Sequence, residues 1–307
     1  MITVNNLSKS YKNGREIIPA LKGISFNVNQ GEIFGLIGPD GAGKTTLIRI
    51  LTTLILPDSG SATVQGLDVV NDFKKIRHLF GYMPGRFSLY QDLTVEENIN
   101  FFASIFHTTV EENYHLVKDI YAQIEPFRNR PAGKLSGGMK QKLALSCALI
   151  HKPDYLFLDE PTTGVDVVSR KEFWDMLKKL RNQGLTLLVS TPYMDEARLC
   201  DRVALMQNGR FMDVDRPDKI IQKNQGYLLA AKASNTYTLI NELRKLNLPA
   251  HSYPFGEWIH IMSKSRFMEA EALVEKLTDT GLQNVQVREI EPNIEDIFMK
   301  LMRTNHE

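Results

Sequence analysis

Short apolar runs alternate with amphipathic stretches along the first two-thirds of the chain. The runs are almost continuously apolar, as expected for strands buried on both faces of a sheet, and lie at residues 33–37, 155–158 and 185–190. Between them, apolar residues recur at helical spacing, as in Leu47, Ile50, Leu51 and Leu54. Repeated alternation of strand and helix predicts an α/β fold, with a parallel sheet that is covered by helices on both faces.

The pattern changes after residues 222–226. The rest of the chain predicts the order strand–helix–strand–strand–helix–strand and a tail helix, which is that of a small α+β, ferredoxin-like domain. We therefore expect two domains, at 1–222 and 227–307, with a helical subdomain at about 87–150. The second domain shows no catalytic cluster, which leaves two interpretations open: a regulatory or dimer-stabilising domain, or a small packing domain.

Composition narrows the class of protein. The net charge of +1 gives no general attraction to nucleic acid, so we expect no nucleic-acid partner. No apolar run approaches the roughly 18 residues of a spanning helix, and the N-terminus does not resemble a signal peptide. Cys147 and Cys200 are too few for a disulfide framework, and we expect both to be buried in a reducing compartment. These features predict a cytoplasmic protein, and they do not exclude docking on a membrane protein.

A glycine-rich stretch separates the apolar run 33–37 from the first predicted helix. It consists of Gly38, Pro39, Asp40, Gly41, Ala42, Gly43, Lys44, Thr45 and Thr46. The spacing Gly-x4-Gly-Lys-Thr between a strand and a helix is typical of a phosphate-binding loop. Backbone N–H groups and the helix dipole attract polyphosphate, Lys44 can reach the outer phosphates, and the Thr45 hydroxyl can ligate Mg²⁺. The strand–loop–helix setting disfavours the alternative of an ordinary glycine turn.

Two acidic residues follow the apolar run 155–158 at its carboxyl end, where ligands bind in open parallel sheets. Asp159 is suited to a direct or water-mediated contact with Mg²⁺. Glu160 is placed to orient or deprotonate a water molecule. A solvated turn is the alternative, and a phosphate loop in the same chain favours the functional interpretation.

Two further candidates each have a structural alternative. Ser136, Gly137 and Gly138 begin a predicted helix, which makes them either a second anion site or only the capped start of that helix. Tyr11 precedes a predicted hairpin turn, and it is either an aromatic platform for an adenine ring or a packed strand tyrosine.

In combination, these stretches resemble the ATP-binding subunit of an ABC transporter. The phosphate loop, Leu-Ser-Gly-Gly at 135–138, Leu-Asp-Glu-Pro at 158–161 and Gly-x-Asp at 164–166 follow the order of that family within residues 1–222. The stretch Glu-Pro-Asn-Ile-Glu-Asp-Ile-Phe at 291–298 is similar to the end of the C-terminal extension of drug- and polysaccharide-exporter ATPases.

The resemblance implies a head-to-tail dimer with a second ATP-binding subunit, identical or different. Mg-ATP would lie between the phosphate loop of one subunit and Ser136, Gly137 and Gly138 of the other, with Asp166 crossing the interface. Lys44 and Glu160 would be catalytic, and the segment 87–98, with the helices after it, would contact the coupling helix of a membrane-spanning subunit. The chain would then lie on the cytoplasmic face of the membrane and power export.

Two positions depart from the family pattern. Gly85 replaces a glutamine that ligates Mg²⁺, and Pro192 replaces a histidine that contacts the γ-phosphate. Losing one preorganised donor typically costs about 10²–10³ in rate. The chain is therefore either a working ATPase in which water or a neighbouring residue replaces these groups, or a hydrolysis-impaired subunit that pairs with a more complete ATPase. A role in translation or repair is a third interpretation, but the second ATP domain or long coiled coil typical of such proteins is missing.

Overall fold

A computed structural model describes residues 1–304. They form two compact units, one from Met1 to Arg216 and one from Pro217 onward. The structure places the boundary between Arg216 and Pro217, one short helix before the boundary expected at 222–226. That helix, Pro217–Lys223, contacts the last helix, Ile294–Thr304, and so belongs with the second unit.

The first unit contains a parallel and an antiparallel sheet. Its strands are β1 (Ile2–Asn13), β2 (Glu16–Val28), β3 (Ile33–Ile37), β4 (Ser59–Val64), β5 (Leu67–Asp68), β6 (Phe80–Met83), β7 (Tyr155–Asp159), β8 (Thr186–Thr191), β9 (Arg202–Gln207) and β10 (Arg210–Asp215). The larger sheet has the order β10-β9-β3-β8-β7-β6 and is parallel except for β10. The smaller sheet, β2-β1-β4-β5, is antiparallel. The predicted α/β architecture with a parallel sheet is confirmed.

Helices connect the parallel strands. They are α1 (Lys44–Leu51), α2 (Phe73–Ile76), α3 (Val95–Ile105), α4 (Val110–Tyr121), α5 (Gly137–Leu149) and α6 (Val167–Asn182). Thr94 and Thr109 each form a complete capping box, which fixes the starts of α3 and α4. Because α3 and α4 both contact α5, these helices form one group within the stretch expected to be helix-rich.

The apolar runs form the centre of the parallel sheet. Every residue of β3, β7 and β8 is buried, as expected for strands covered on both faces. Close packing explains why residue 35 in β3 is glycine, because a Cβ atom there would lie 2.8 Å from the Cys200 sulfur. Cys200 and Cys147 are free and buried, and burial raises the pKa of each thiol.

The second unit is built on an antiparallel sheet. Its elements are α7 (Pro217–Lys223), β11 (Tyr227–Lys232), α8 (Thr236–Lys245), β12 (His251–Phe255), β13 (Trp258–Ser263), α9 (Ala270–Asp279), β14 (Gln286–Glu289) and α10 (Ile294–Thr304). The sheet order β12-β13-β11-β14 is that of a ferredoxin-like domain, which confirms the predicted fold of this part. α8 and α9 bury Leu239, Leu243, Leu273 and Leu277 in one core with Ile259 and Ile261.

Among residues 1–304, no helix is both long enough and apolar enough to cross a membrane.

Candidate functional site

The glycine-rich loop joins the end of β3 to the start of α1, and two of its glycines are required by geometry. A Cβ atom at Gly38 would lie 2.1 Å from the carbonyl oxygen of Met206, so no other residue fits without a backbone shift. Gly43 has a φ of 109°, and a Cβ atom there would lie 2.5 Å from the carbonyl oxygen of Ala20. The loop is therefore held against two other segments of the chain, which fixes its curved shape.

Lys44 places its ammonium group inside this curve. The residue is only 4% exposed, and its Nζ donates to the carbonyl oxygens of Gly38 at 2.8 Å and Pro39 at 3.0 Å. The same Nζ lies 3.1 Å from Oε1 of Glu160. A buried ammonium with these partners is stable only because its charge is compensated, and phosphate oxygens can compensate it equally well.

The start of α1 adds to the positive potential of the loop. Its N-cap is Gly43, no side chain caps it, and its first turn contains no acidic residue. The helix therefore carries no acidic side chain of its own that would offset its dipole at this end. Around it, Pro39, Asp40 and Gly41 are exposed, whereas Ala42 and Thr46 are buried.

Thr45 and Asp159 form an oxygen pair beside the loop. Thr45 Oγ1 donates to Asp159 Oδ1 at 3.1 Å, and Asp159 is 3% exposed. Within residues 1–304, no group of three His, Cys, Asp or Glu side chains is arranged to hold a metal ion. A hydroxyl and one carboxylate nevertheless suit Mg²⁺, which usually keeps several waters and binds through one or two carboxylates and phosphate oxygens. The residues present therefore fit a magnesium–nucleotide complex.

Ser190 supports both acidic residues, and the sequence analysis did not identify it. Its hydroxyl donates to Asp159 Oδ1 at 2.6 Å and accepts from the backbone N–H of Glu160 at 3.0 Å. That N–H also lies 3.1 Å from the Ser190 carbonyl oxygen. Ser190 pairs with Asp159 in the parallel register of β7 and β8, so its position near the end of an apolar strand was the available signal.

Glu160 has a strained backbone. Its φ is 51°, in the left-handed region that non-glycine residues seldom occupy. The contacts with Ser190 hold this conformation, and the Glu160 carboxylate is directed toward Lys44. Strain of this kind costs on the order of 1–3 kcal/mol and is concentrated at functional sites.

Tyr11 reaches the same site from β1. Its hydroxyl lies 3.3 Å from Oγ1 of Thr46, and the residue is 39% exposed. The structure thus brings Tyr11, the loop, Asp159 and Glu160 into one connected site. Whether the tyrosine ring stacks on a base stays a prediction.

Ser136, Gly137, Gly138 and Asp166 form a second group, at the starts of α5 and α6. Ser136 caps α5, and Asp166 caps α6 by accepting from the N–H groups of Val168 and Ser169. The hydrogen bond from the Ser169 backbone is the main reason that the pKa of Asp166 is lowered. Ser136 and Gly137 are exposed, whereas Gly138 approaches α6 so closely that a Cβ atom would lie 2.7 Å from Ser169 Oγ.

Gly85 and Pro192 are the two positions that depart from the family pattern. A Cβ atom at Gly85 would be 3.0 Å from the carbonyl oxygen of Asp159, so this position borders the site but carries no functional group. Pro192 follows β8 directly. Tyr193, the next residue, packs under the Arg170 guanidinium at 4.8 Å.

A groove of about 720 Å³ lies between the α3–α5 group and strand β6. Its apolar lining includes Met83, Leu89, Phe102 and Ile105, and its basic residues are Lys74, Arg77, His78 and His151. His151 stacks on Phe106 with ring centroids 3.7 Å apart. Burial lowers the pKa of His151 to about 4, so its ring is neutral near pH 7 and its Nε2–H can donate to the Phe80 carbonyl oxygen at 3.1 Å.

Comparisons with known proteins agree with this geometry. The family model described as ABC transporter matches residues 21–163. Over 307 residues the chain is 37% identical to a probable multidrug ABC transporter ATP-binding protein of Escherichia coli (strain K12), covering 98% of this chain but only 52% of that relative. It is 35% identical over 286 residues to the Nod factor export ATP-binding protein I of Burkholderia lata, covering 92% of this chain and 91% of that one.

A solved structure extends the comparison to three dimensions. The dimeric structure of a bacterial ABC transporter cassette superposes with a TM-score of 0.64 at 30% identity, covering 70% of this chain and 98% of that chain. The fold and the site thus define a nucleotide-binding ATPase cassette. The chain belongs to the ABC transporter family of ATP-binding proteins, whose ATP-binding domains are ATPases coupled to transport.

Proposed function

We propose that this chain is the ATP-hydrolysing subunit of an export transporter, and that it acts as a head-to-tail dimer on the cytoplasmic face of the membrane. The observation that carries the proposal is the convergence of the Lys44 ammonium, the Thr45 hydroxyl, Asp159 and Glu160 on one glycine loop. The names of the two relatives, which refer to multidrug transport and Nod factor export, support the direction of transport.

Different residues of the chain would bind the phosphates, the Mg²⁺ ion and the base of the nucleotide. Lys44 and the first turn of α1 would hold the phosphates, and Thr45 and Asp159 would hold Mg²⁺ directly or through water. The metal would supply charge neutralisation at the phosphate oxygens. Tyr11, which lies beside Thr46, would provide the base platform.

Glu160 is proposed as the residue that orients or deprotonates the attacking water. Its carboxylate lies 3.1 Å from Lys44 Nζ. When Lys44 donates to phosphate oxygens instead, the carboxylate loses this partner and becomes available to water. Because the backbone of Glu160 stays fixed by Ser190, the carboxylate needs only side-chain rotation for this exchange.

The exposed starts of α5 and α6 support a dimer in which each subunit completes the other's site. Ser136 and Gly137 are solvent-accessible backbone donors on a helix N-terminus, suited to a nucleotide bound by the partner. Beside Asp166, Val167 and Val168 are 74% and 68% exposed. Covering these two adjacent valines with a partner would bury apolar surface, in agreement with a dimeric relative.

The membrane-spanning partner is proposed to dock in the groove beside β6. Its apolar lining, together with the charged side chains of Lys74 and Arg77, suits an amphipathic helix that carries acidic residues. Leu89 lines this groove and belongs to the segment 87–98, for which the family resemblance implies contact with the coupling helix.

Steady-state Mg-ATP hydrolysis by the purified chain, measured over a range of protein concentrations, tests the proposal. We expect the rate to rise more than linearly with protein concentration, because each site needs both subunits. Lys44→Ala and Glu160→Gln should each abolish turnover, and Glu160→Gln should still bind ATP. Turnover no higher than that of the two variants, with ATP binding intact, would refute an independent ATPase and favour the hydrolysis-impaired interpretation.

A further inference from the structure

The second unit contains a pocket that the ATPase cycle does not use. It has a volume of about 380 Å³. It lies at the open end of the β12–β13 hairpin, where β12 begins and β13 ends, beside the last turns of α10. This is the sheet face opposite α8 and α9, because His260 on this face bonds to α10 whereas Ile259 and Ile261 pack in the α8–α9 core. The volume falls within the range of small-molecule sites.

The floor of the pocket is rigid. Tyr253 is buried, and its hydroxyl donates to Asp296 Oδ1 at 2.8 Å. The same carboxylate oxygen lies 2.6 Å from His260 Nδ1, and the other accepts from the Asn293 N–H at 2.8 Å. Asp296 is fully buried, and both of its carboxylate oxygens are hydrogen-bonded to other groups of the protein. These bonds hold the Tyr253 ring in place.

The lining is strongly basic. Lys264, Lys300 and Arg303 contribute to it, together with His251, and none of the described lining residues is Asp or Glu. Lys300 Nζ donates to the carbonyl oxygens of Asn224 at 2.8 Å and Gln225 at 3.2 Å, which fixes the ammonium in position. Burial and, to a lesser degree, the charge of Lys264 lower the pKa of Lys300. An anion bound in this pocket would lie close to Lys264, Lys300 and Arg303, whose charges attract it.

The rest of the lining is apolar or weakly polar. Pro249, Tyr253, Met262 and Met299 form a surface next to the cations, and Ser263 and Ser265 add hydroxyl groups. Methionine side chains adapt their shape to different apolar bodies. A ligand that matches this lining has an anionic head, which the cations and hydroxyls hold, and a short apolar body.

We infer that this pocket binds a small amphipathic anion, an alkyl or aryl phosphate or carboxylate, independently of the nucleotide site. The positions of Lys264, Lys300 and Arg303 around one apolar cavity carry the inference.

Isothermal titration of the full-length chain with octyl phosphate tests this inference, with octanoate, octanol and inorganic phosphate in parallel. We expect saturable binding of octyl phosphate at one site per chain, weaker binding of octanoate, and at least about tenfold weaker binding of octanol and of inorganic phosphate, since each lacks one half of the ligand. Titrations are repeated with saturating ATP, which should leave the affinity for octyl phosphate unchanged.

The variants Lys264→Met and Arg303→Met keep apolar stems and remove one charge each. We expect each to weaken octyl phosphate binding by about tenfold, as is typical when one charge-assisted hydrogen bond is lost. Lys276→Met is the matched control, because Lys276 is an exposed lysine on α9. The Lys300 ammonium also bonds to the backbone of Asn224 and Gln225, so its loss can destabilise the fold. Octyl phosphate binding by Lys300→Met is therefore interpreted only together with the thermal unfolding of that variant.

Several results would overturn the inference. These are octyl phosphate binding that is no tighter than octanol or inorganic phosphate binding, or equal affinity in Lys264→Met, Arg303→Met and Lys276→Met. Because no arm measures ATP turnover, failure of the proposed ATPase function would leave these results unaffected.

Discussion

Replacing Ser190 by alanine removes a hydroxyl that links the two acidic residues of the site. The group is fully buried, donates to Asp159 at 2.6 Å and accepts from the Glu160 N–H at 3.0 Å. A hydrogen bond to a charged group contributes about 1.5–3 kcal/mol, and a neutral one about 1 kcal/mol. In the variant, the Glu160 N–H can still donate to the backbone carbonyl oxygen of residue 190, which lies 3.1 Å away. Much of the stabilisation from the neutral hydrogen bond is therefore retained. We therefore expect a loss of about 2–3 kcal/mol in the free energy of unfolding.

The functional effect follows from what the two acids would do. With Thr45 left as the only side-chain donor among residues 1–304, the Asp159 carboxylate is less firmly oriented for Mg²⁺. A loss of 1.4–2.7 kcal/mol in transition-state stabilisation corresponds to a decrease in kcat of about 10- to 100-fold. We expect this decrease at saturating ATP, with a higher Mg²⁺ concentration required for half-maximal turnover.

Ser146→Ala provides the matched control. Ser146 is equally buried, but its hydroxyl donates to the Lys142 carbonyl oxygen inside α5 at 2.9 Å. It should cost about 1 kcal/mol in stability and leave the Mg²⁺ dependence unchanged. ATP turnover is measured over a Mg²⁺ titration, with thermal unfolding of each variant. The same kcat and Mg²⁺ dependence in both variants would refute a positioning role for Ser190.

Three further predictions concern other parts of the first unit. In the folded chain the pKa of His151 is lowered to about 4 from an ordinary 6.5, so the unfolded chain binds more protons between these two pH values. The free energy of unfolding should therefore fall by up to about 3 kcal/mol as the pH drops from 7 to 4. Urea titrations should show that His151→Phe, but not His115→Phe, removes this part of the pH dependence. Gly38→Ala should abolish ATP binding in a titration, because its Cβ would displace the Met206 carbonyl; wild-type affinity would contradict the geometry. Thr94→Ala removes one capping box and should cost about 1 kcal/mol, and an unchanged unfolding midpoint would contradict it.

The sequence was sufficient for features whose energetics are local. The glycine spacing and Lys44 define the phosphate loop within nine residues, and the apolar run before Asp159 marks a buried strand. The capping box of Thr94 and Glu97 is equally local, because both of its hydrogen bonds form within one helical turn. The strand and helix order of the C-terminal part predicted its ferredoxin-like fold, since side-chain periodicity differs between the two kinds of element.

Tertiary structure decided what depends on contacts between distant segments. Only the register of β7 against β8 places Ser190 beside Asp159, and a shift of one residue would turn its side chain to the other face. The need for glycine at Gly38 comes from a carbonyl group in β9, far along the chain.

The basic pocket follows the same rule, because Lys264 follows β13 whereas Arg303 lies on α10, and no spacing in the sequence relates them. Sequence periodicity reports which residues one element buries or exposes. The packing of elements against each other determines which exposed residues meet, because many weak long-range contacts together set that arrangement.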